Sequence, residues 1–357
     1  MIIAGGGTGG HLFPGIAIAE EMLGRNLANQ VLFIGTERGL EKRTLGKLGF
    51  PLETLKVEGI KGKGALGALK SIWKIPRSLL SSFRIISRFK PDFVVGVGGY
   101  ASGPAVLAAK LMGIKTFIAE QNAFPGLTNR ILGRFAYRIF ITFADSKRWF
   151  PEGKTIVTGN PVRRAFISKN DEDITENKPF TVLVFGGSQG AHAINNAIIA
   201  SLGYLIHLKE KIHFVHQTGN DELHKTEEAY QKEGFKAEVY PFITEMAAAY
   251  RSADLLVCRA GATSLAEITA MGKASVLIPF PFAAADHQTK NALAMANAGA
   301  AMMIPEQALD GFSLASAIED LYLHPEKIRK METASASLGR LNAAAVIVDA
   351  CMGLQVV

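Results

Sequence analysis

The stretch Cys258-Arg259-Ala260-Gly261-Ala262-Thr263-Ser264-Leu265-Ala266-Glu267 decides the fold. It follows the short apolar run 255–257 and continues as far as Gly272. This order predicts a strand, a glycine-containing turn, and a helix that Thr263 or Ser264 caps and Gly272 ends. The start of such a helix presents unpaired N–H groups and a partial positive charge, which suit a phosphate or pyrophosphate.

Further polar side chains accompany this predicted turn. Glu267 lies about one helical turn in, where a carboxylate can accept hydrogen bonds from vicinal hydroxyls such as those of ribose. A second predicted strand, 274–278, leads through a proline-containing turn to Asp286-His287-Gln288. Together these residues indicate a nucleotide-sugar site. The alternative is an ordinary strand–turn–helix connection with a well-capped helix.

Strand and helix patterns alternate along the whole chain, which predicts an α/β architecture with mainly parallel sheets. Glycine-rich turns open both halves, at residues 5–10 and at residues 186–190. This repetition predicts two similar Rossmann-like domains joined by the polar, acidic stretch 168–179. The predicted strands are 2–4, 31–34, 93–97, 116–119, 139–142 and 155–158 in the first half, and 181–185, 213–217, 237–240, 255–257 and 274–278 in the second.

The first glycine-rich turn is followed directly by a histidine, His11, and by a predicted helix from about Pro14 to Leu23. The glycines alone are weak evidence for a dinucleotide site, and no acidic residue stands in the usual ribose-binding place after the second strand. His11 is placed where a general base reaches a cleft at the strand ends. The alternative for His11 is a helix-capping or merely packed histidine.

Composition bounds the class of protein. A chain of 357 residues with 48% hydrophobic and 20% charged residues is long enough for two domains with sizeable cores. The two cysteines, Cys258 and Cys351, form no metal or disulfide framework, which fits a reducing compartment. Met1–Ala4 runs straight into glycines, so we expect no signal peptide. The chain has no apolar run of about 18 residues, so we expect no membrane-spanning helix.

The charge is distributed unevenly between the two halves. Residues 1–170 carry 25 Lys and Arg against 10 Asp and Glu, a charge of +15, and the remainder carries 14 against 22, a charge of −8. A basic half predicts an anionic partner. Nucleic acid is disfavoured because aromatic residues are not interleaved with the basic ones and no zinc-finger or helix-turn-helix signature appears. An anionic membrane surface is the favoured partner.

The segment Lys61–Lys90 supports a membrane partner, because it mixes apolar residues at helical spacing with eight basic residues and no acidic one. Such a pattern is typical of an interfacial helix or helix pair. The alternative is a helix that covers the sheet, and we expect that role for much of Ser78–Phe89. The portion 66–75, which contains Ile72 and Trp73, is the better membrane candidate.

Six motifs in this order resemble one known family. They are Gly6-Gly7-Thr8-Gly9-Gly10-His11, Gly98-Gly99-Tyr100-Ala101-Ser102-Gly103-Pro104, Glu120-Gln121-Asn122, Gly159-Asn160-Pro161-Val162-Arg163, Gly186-Gly187-Ser188-Gln189-Gly190-Ala191 and 259–267. The family is MurG, the bacterial transferases that add N-acetylglucosamine to lipid I to make lipid II. The resemblance covers nearly the whole chain.

The resemblance implies a GT-B fold with two Rossmann-like domains that face a cleft. Residues 1–163 would form the acceptor- and membrane-binding domain, and residues 164–340 would form the donor-binding domain. A C-terminal helix, 341–357, would pack back on the first domain. The donor would be UDP-N-acetylglucosamine, and the acceptor would be lipid I, undecaprenyl-pyrophosphoryl-MurNAc-pentapeptide. Transfer would invert the anomeric centre without a metal or other cofactor.

The resemblance also implies site residues and a location. His11 would be the general base, or else a contact to the acceptor. The protein would sit peripherally on the cytoplasmic face of the bacterial plasma (inner) membrane and serve peptidoglycan synthesis, cell shape and cell division. The residues that would contact the donor are Thr8, Gly9, Gly10, Asn122, Arg163, Ser188, Ile243, Ala262, Thr263, Ser264, Leu265, Ala266, Glu267 and Gln288.

Three alternatives share parts of this pattern. Another GT-B transferase with a lipid acceptor would carry the same basic, apolar segment. A UDP-N-acetylglucosamine epimerase with the GT-B fold would act without an acceptor, and its cleft would hold more carboxylates. A non-catalytic protein that binds UDP-sugars would bind the donor without turnover.

Overall fold

The computed structural model describes residues 1–36, 40–57, 75–168, 178–187, 190–283 and 286–354. The chain forms two compact units, one of Met1–Arg164 with Arg340–Val357 and one of Ala165–Gly339. Of the sequence-based predictions, the linker residues 169–177, the donor contact Ser188 and the membrane residues Ile72 and Trp73 lie outside the described residues.

The first unit is built on a parallel sheet of seven strands in the order β3-β2-β1-β4-β5-β6-β7. The strands are β1 (Ile2–Gly5), β2 (Leu32–Thr36), β3 (Leu52–Leu55), β4 (Phe93–Gly98), β5 (Lys115–Glu120), β6 (Arg138–Ile141) and β7 (Thr155–Val157). The helices are α1 (Gly9–Arg25), α2 (Leu40–Lys47), α3 (Ile75–Phe89), α4 (Ser102–Leu111) and α5 (Leu127–Leu132), with a 3-10 helix at Ala144–Trp149.

The central strands of this sheet are buried on both faces, which explains their continuous apolar sequences. Ile3 and Val95 pack in one cluster with Leu12 and Ile16 of α1, whereas Ile2 belongs to the cluster on the opposite face. The predicted core role of 78–89 is confirmed, since Ile85 and Ile86 of α3 are buried in that second cluster.

The second unit repeats the design with six parallel strands in the order β10-β9-β8-β11-β12-β13. The strands are β8 (Phe180–Phe185), β9 (Ile212–Gln217), β10 (Lys236–Tyr240), β11 (Leu255–Cys258), β12 (Ser275–Leu277) and β13 (Ala301–Met303). The helices are α6 (Arg164–Ile167, which starts in the first unit), α7 (His192–Ser201), α8 (Leu223–Glu233), α9 (Met246–Ser252), α10 (Ala262–Met271), α11 (His287–Asn297), α12 (Gly311–Leu323) and α13 (Pro325–Ser337), with 3-10 helices at Ile206–Leu208 and Glu306–Ala308.

The final helix, α14 (Ala343–Met352), belongs to the first unit. Ile347 and Val348 are buried in the same cluster as Ile16 of α1. An ion pair of 2.7 Å between Arg25 Nη1 and Asp349 Oδ1 links the two helices at the surface. Helix α14 therefore completes the core of the first unit, to which α1 also belongs.

Two strands of the described sheets were not predicted, and the start of α1 was predicted wrongly. β3 reads Leu-Glu-Thr-Leu and is partly exposed, so it carries no continuous apolar run. β13 has only three residues, Ala-Met-Met, and both residue types favour helices. α1 begins at Gly9 rather than near Pro14, because Thr8 is extended, with φ −141° and ψ 158°, and takes the N-cap position. Within the ranges described above, no helix combines the length and the apolarity needed to cross a bilayer.

Candidate active site

The switch point of the first sheet lies between β1 and β4, where the strand order reverses direction. Crevices beside such points are the usual ligand sites of open α/β sheets. Two glycine-rich turns meet there, because Gly6 N–H donates to Gly98 O at 3.2 Å. A Cβ atom on Gly5, whose φ is +147°, would lie 2.2 Å from Gly98 O, so only glycine fits this approach.

His11 lies in the first turn of α1, above this contact. Its Nδ1 atom is 3.2 Å from Thr8 Oγ1. Its ring packs on the other turn, since a Cβ atom on Gly98 would lie 2.7 Å from His11 Cδ2. The protein atoms around the ring lower the pKa of His11 below its ordinary value. The imidazole is therefore neutral at pH 7, as a general base must be.

A buried carboxylate, Glu41 of α2, holds the first glycine-rich turn. Its Oε1 atom accepts the N–H of Gly7 at 2.6 Å. The hydroxyl of Thr36, the last residue of β2, lies 3.3 Å from Oε1 and 3.2 Å from Oε2. Sequence reasoning missed Glu41, because the charged sequence of α2 is that of a solvated helix.

Asn122 follows β5, at the same sheet edge, and a second buried carboxylate fixes it. Glu120 accepts the backbone N–H of Asn122 at 2.9 Å and its side-chain amide at 3.2 Å. It also accepts the Gly126 N–H at 3.1 Å and the Asn129 Nδ2 amide at 2.9 Å. Burial raises the pKa of Glu120, and these hydrogen bonds oppose that effect. Glu120 therefore orders the loop that presents Asn122.

Arg163 is the remaining predicted site residue of the first unit. It is partly exposed, and its guanidinium carbon lies 4.1 Å from the centre of the Phe13 ring, above α1. A cation stacked on an aromatic face keeps its planar group in a fixed orientation.

The second unit has its own switch point, between β8 and β11. There, Gln217 of β9 is 1% exposed and joins two segments of the predicted donor site. Its Nε2 atom donates to Gly187 O at 2.7 Å, and its Oε1 atom accepts the Ile243 N–H at 2.8 Å. Gln217 was not predicted as a site residue, although a glutamine that ends a buried strand was a usable signal.

Helix α10 starts one residue after Gly261, which takes the N-cap position. The prediction that Thr263 or Ser264 caps it is wrong, because both residues already lie inside the first turn. The first amides of α10 have no acceptor within the helix, so they can bind an anion. Gly272 ends the helix in the left-handed conformation, with φ 60°, as predicted.

The predicted site stretch therefore forms the first turns of α10. Ala262, Leu265 and Glu267 are buried, with Glu267 6% exposed, whereas Thr263, Ser264 and Ala266 are partly exposed. Burial, and then the nearby Glu267 carboxylate, raise the pKa of the Cys258 thiol. Glu267 lies in the second turn of α10, and Cys258 is the last residue of β11.

Gln288 lies in the first turn of α11, and its Oε1 atom accepts the Phe280 N–H at 3.0 Å. One turn later, Asn291 Nδ2 donates to Ala260 O at 3.1 Å. This bond, which was not predicted, ties α11 to the turn before α10. Arg259 Nη1 pairs with Glu306 Oε2 at 2.5 Å and is only 12% exposed, so the pair anchors the same turn.

The predicted site residues thus fall into two groups. The first unit holds His11, Thr8–Gly10, Asn122 and Arg163, all after the carboxyl ends of its strands or at its closing segment. The second unit holds Ile243, 262–267 and Gln288. Within the described part of the chain, no three His, Cys, Asp or Glu side chains form a group that could hold a metal ion.

Known proteins share this sequence and fold. Residues 1–141 match the glycosyltransferase family 28 N-terminal domain, and residues 181–348 match the glycosyltransferase family 28 C-terminal domain. A UDP-N-acetylglucosamine–N-acetylmuramyl-(pentapeptide) pyrophosphoryl-undecaprenol N-acetylglucosamine transferase of Syntrophus aciditrophicus is 57% identical over 99% of this chain and 98% of its own length. The Myxococcus xanthus transferase of the same name is 52% identical over 100% of this chain and 93% of its own length.

Solved structures agree with these matches. The crystal structure of Acinetobacter baumannii MurG superposes with a TM-score of 0.73 at 32% identity, over 99% of both chains. A UDP-N-acetylglucosamine 2-epimerase from Neisseria meningitidis, bound to its sugar nucleotide, superposes with a TM-score of 0.71 at 16% identity over 99% of both chains, which shows a shared fold alone.

Two parallel Rossmann-like units, each with glycine-rich turns at a switch point, and both family 28 domains define a glycosyltransferase of the GT-B fold. The chain belongs to the MurG family.

Proposed function

We propose that the protein transfers N-acetylglucosamine from UDP-N-acetylglucosamine to the C4 hydroxyl of the muramyl sugar of lipid I, and so forms lipid II for peptidoglycan. The observation that carries the proposal is the 57% identity, over 99% of the chain, to a transferase whose name states this donor and acceptor. Lipid I here is undecaprenyl-pyrophosphoryl-MurNAc-pentapeptide.

The second unit binds the donor in this proposal. The amide dipoles and partial positive charge at the start of α10 stabilise the diphosphate, first in the bound donor and then in the leaving UDP. Glu267 accepts hydrogen bonds from the ribose hydroxyls. Ile243 and Gln288 lie on segments that Gln217 and Asn291 hold in place, and Ser188 is assigned to the donor by family resemblance. From the first unit, Thr8–Gly10, Asn122 and Arg163 complete the donor contacts.

His11 takes the acceptor proton. When its Nδ1–H donates to Thr8 Oγ1, the Nε2 atom carries the lone pair that accepts the proton from the C4 hydroxyl. The resulting oxygen nucleophile attacks the anomeric carbon while the bond to the UDP phosphate breaks, and the electron pair leaves with UDP. A single displacement of this kind inverts the anomeric centre and gives a β-1,4 linkage. It needs one base and, in our proposal, no metal or other cofactor.

The function is tested by incubating the purified protein with radiolabelled UDP-N-acetylglucosamine and a lipid I analogue, with and without EDTA. We expect labelled lipid II only when both substrates are present, at a rate that EDTA does not change. Epimerised sugar in the absence of acceptor would indicate an epimerase. Binding without turnover would indicate a UDP-sugar-binding protein, and label on diacylglycerol would indicate a different lipid acceptor.

We also propose that the first unit binds the cytoplasmic face of the plasma membrane, since the lipid tail of the acceptor stays in the bilayer. Leu127, Ile131 and Phe135 follow one another at four-residue spacing along and just past α5, and they are 69%, 51% and 49% exposed. Arg130 and Arg134 lie between them. Basic residues near an anionic surface contribute about 1 kcal/mol each, and apolar side chains add insertion energy.

Replacing Ile131 and Phe135 together by glutamate should weaken binding to vesicles that contain anionic lipid by at least about tenfold, because it removes apolar contact and adds two repelling charges. Turnover of a water-soluble lipid I analogue should stay near the wild-type rate. Vesicle sedimentation and the soluble assay measure the two effects. The matched control replaces Phe312 and Leu323 of α12 by glutamate. These residues are 62% and 57% exposed on the second unit, and the control variant should bind vesicles normally. If both double variants lost vesicle binding to the same extent, the result would contradict a specific membrane surface at Ile131 and Phe135.

A further inference from the structure

The first glycine-rich turn is built like an anion site, yet the amides of Gly6 and Gly7 are already occupied. A glycine-rich turn that leads into a helix N-terminus is a common binding place for phosphate. Here the N–H of Gly6 donates to Gly98 O at 3.2 Å, and the N–H of Gly7 donates to Glu41 Oε1 at 2.6 Å. A carboxylate of the chain itself therefore occupies the position that an external anion would take.

Glu41 also fills the space that the glycine leaves. A Cβ atom on Gly6 would lie 2.1 Å from Glu41 Oε1, so the carboxylate packs directly on the turn. Glu41 is 1% exposed, and the Thr36 hydroxyl contacts both of its oxygens from the end of β2. The carboxylate thus connects the turn after β1 to the end of β2.

The residue after Gly7 connects this arrangement to the reaction. Thr8 is the N-cap residue of α1, and its Oγ1 atom lies 3.2 Å from His11 Nδ1. Gly5, Gly6 and Gly7 all have positive φ values, of 147°, 135° and 92°, in a region where glycine has wide conformational freedom. A turn with that freedom needs an external constraint to keep Thr8 in one position.

We propose that Glu41 is a positioning residue for His11. It serves as an internal anion that fixes the Gly5–Gly7 turn, and through Thr8 it sets the orientation of the imidazole. Glu41 does not touch the substrate, and its turn does not bind a phosphate through Gly6 and Gly7. The inference rests on the proposed function, because Glu41 is proposed to position His11, the general base of that reaction.

Four variants and wild type test the proposal by steady-state kinetics and by calorimetric donor binding. Glu41→Met removes the acceptor at similar length, and we expect kcat to fall about 10- to 30-fold, since small misplacements of a catalytic group have effects of this size. Glu41→Asp withdraws the carboxylate by about 1.5 Å and should lower kcat at least about fivefold. UDP-N-acetylglucosamine should bind both variants with the wild-type affinity.

Glu41→Gln should restore kcat to within about threefold of wild type, because the amide oxygen still accepts the Gly7 N–H and the amide nitrogen can donate to Thr36 Oγ1. Thr36→Val is the matched control. It removes a hydrogen bond from the same carboxylate but leaves the bond to Gly7, so it should lower the melting temperature with little effect on kcat.

Three results would overturn the inference while wild-type turnover remains intact: full kcat in Glu41→Met and Glu41→Asp, loss in Glu41→Gln as large as in Glu41→Met, or a kcat loss in Thr36→Val equal to that in the Glu41 variants. If Glu41→Met does not fold, the aspartate and glutamine variants decide between the outcomes. Absence of turnover in wild type would instead contradict the proposed function.

Discussion

His11→Ala should lower kcat by about 100- to 10,000-fold, the usual effect of losing a general base, while the donor still binds. The imidazole is held by Thr8 and packs on Gly98, so its removal leaves no group in that position to take the proton. Stopped-time assays with lipid I analogue give kcat, and calorimetry gives the donor Kd. The matched control is His207→Ala, which removes an exposed histidine paired with Glu319 of the second unit and should leave both values unchanged.

The pH dependence supplies an independent check on His11. Burial lowers its pKa below the ordinary value of about 6.5, so the ring stays neutral, and able to accept a proton, to a lower pH than a free histidine. In wild type, kcat/KM should therefore decline only at a pH below about 6.5. The residual activity of His11→Ala should not show this decline. If kcat of His11→Ala fell only a few-fold, His11 would be an acceptor contact. Another residue or water would then take the proton.

Glu267→Ala should raise the KM for UDP-N-acetylglucosamine by about 10- to 150-fold, because hydrogen bonds to a charged group contribute roughly 1.5–3 kcal/mol. In the proposed binding mode Glu267, in the second turn of α10, accepts hydrogen bonds from the ribose hydroxyls. Steady-state kinetics at saturating acceptor measure the change.

The ribose assignment has a sharper test than the single variant. Wild type should bind a donor that lacks a ribose hydroxyl more weakly than UDP-N-acetylglucosamine, whereas Glu267→Ala should hardly distinguish the two donors. Glu267→Gln keeps one acceptor oxygen, so its discrimination between the two donors should be intermediate between those of wild type and Glu267→Ala. If Glu267→Ala still discriminates as wild type does, the carboxylate does not contact the ribose and serves only to stabilise α10.

The regular part of the fold was predictable because it depends on local patterns. Buried parallel strands such as β1 and β4 read as apolar runs, and the glycines after them are needed where two turns approach within hydrogen-bond distance. Residues that follow the carboxyl ends of strands, such as His11 and Asn122, could be selected on that ground alone. The start of α10 was missed by two or three residues because Gly261 serves as a cap without a side chain.

The support behind these residues was not predictable, because it depends on contacts between distant parts of the chain. Glu41 reaches Gly7 across 34 residues, and Gln217 reaches Gly187 across 30 and Ile243 across 26. Nothing in the local sequence Leu-Glu-Lys-Arg of α2 distinguishes Glu41 from a solvated carboxylate. Only the arrangement of strands in the sheet brings these side chains to the turns that they hold.

The return of α14 to the first unit has a consequence for how the protein folds during synthesis. Ile347 and Val348 pack in the core beside Ile16 of α1, so this core stays incomplete until α14 has left the ribosome. The second unit, Ala165–Gly339, is continuous and has all its own strands by then. The later-made unit can therefore finish folding first, while the apolar face of the earlier unit that α14 covers is still exposed to aggregation.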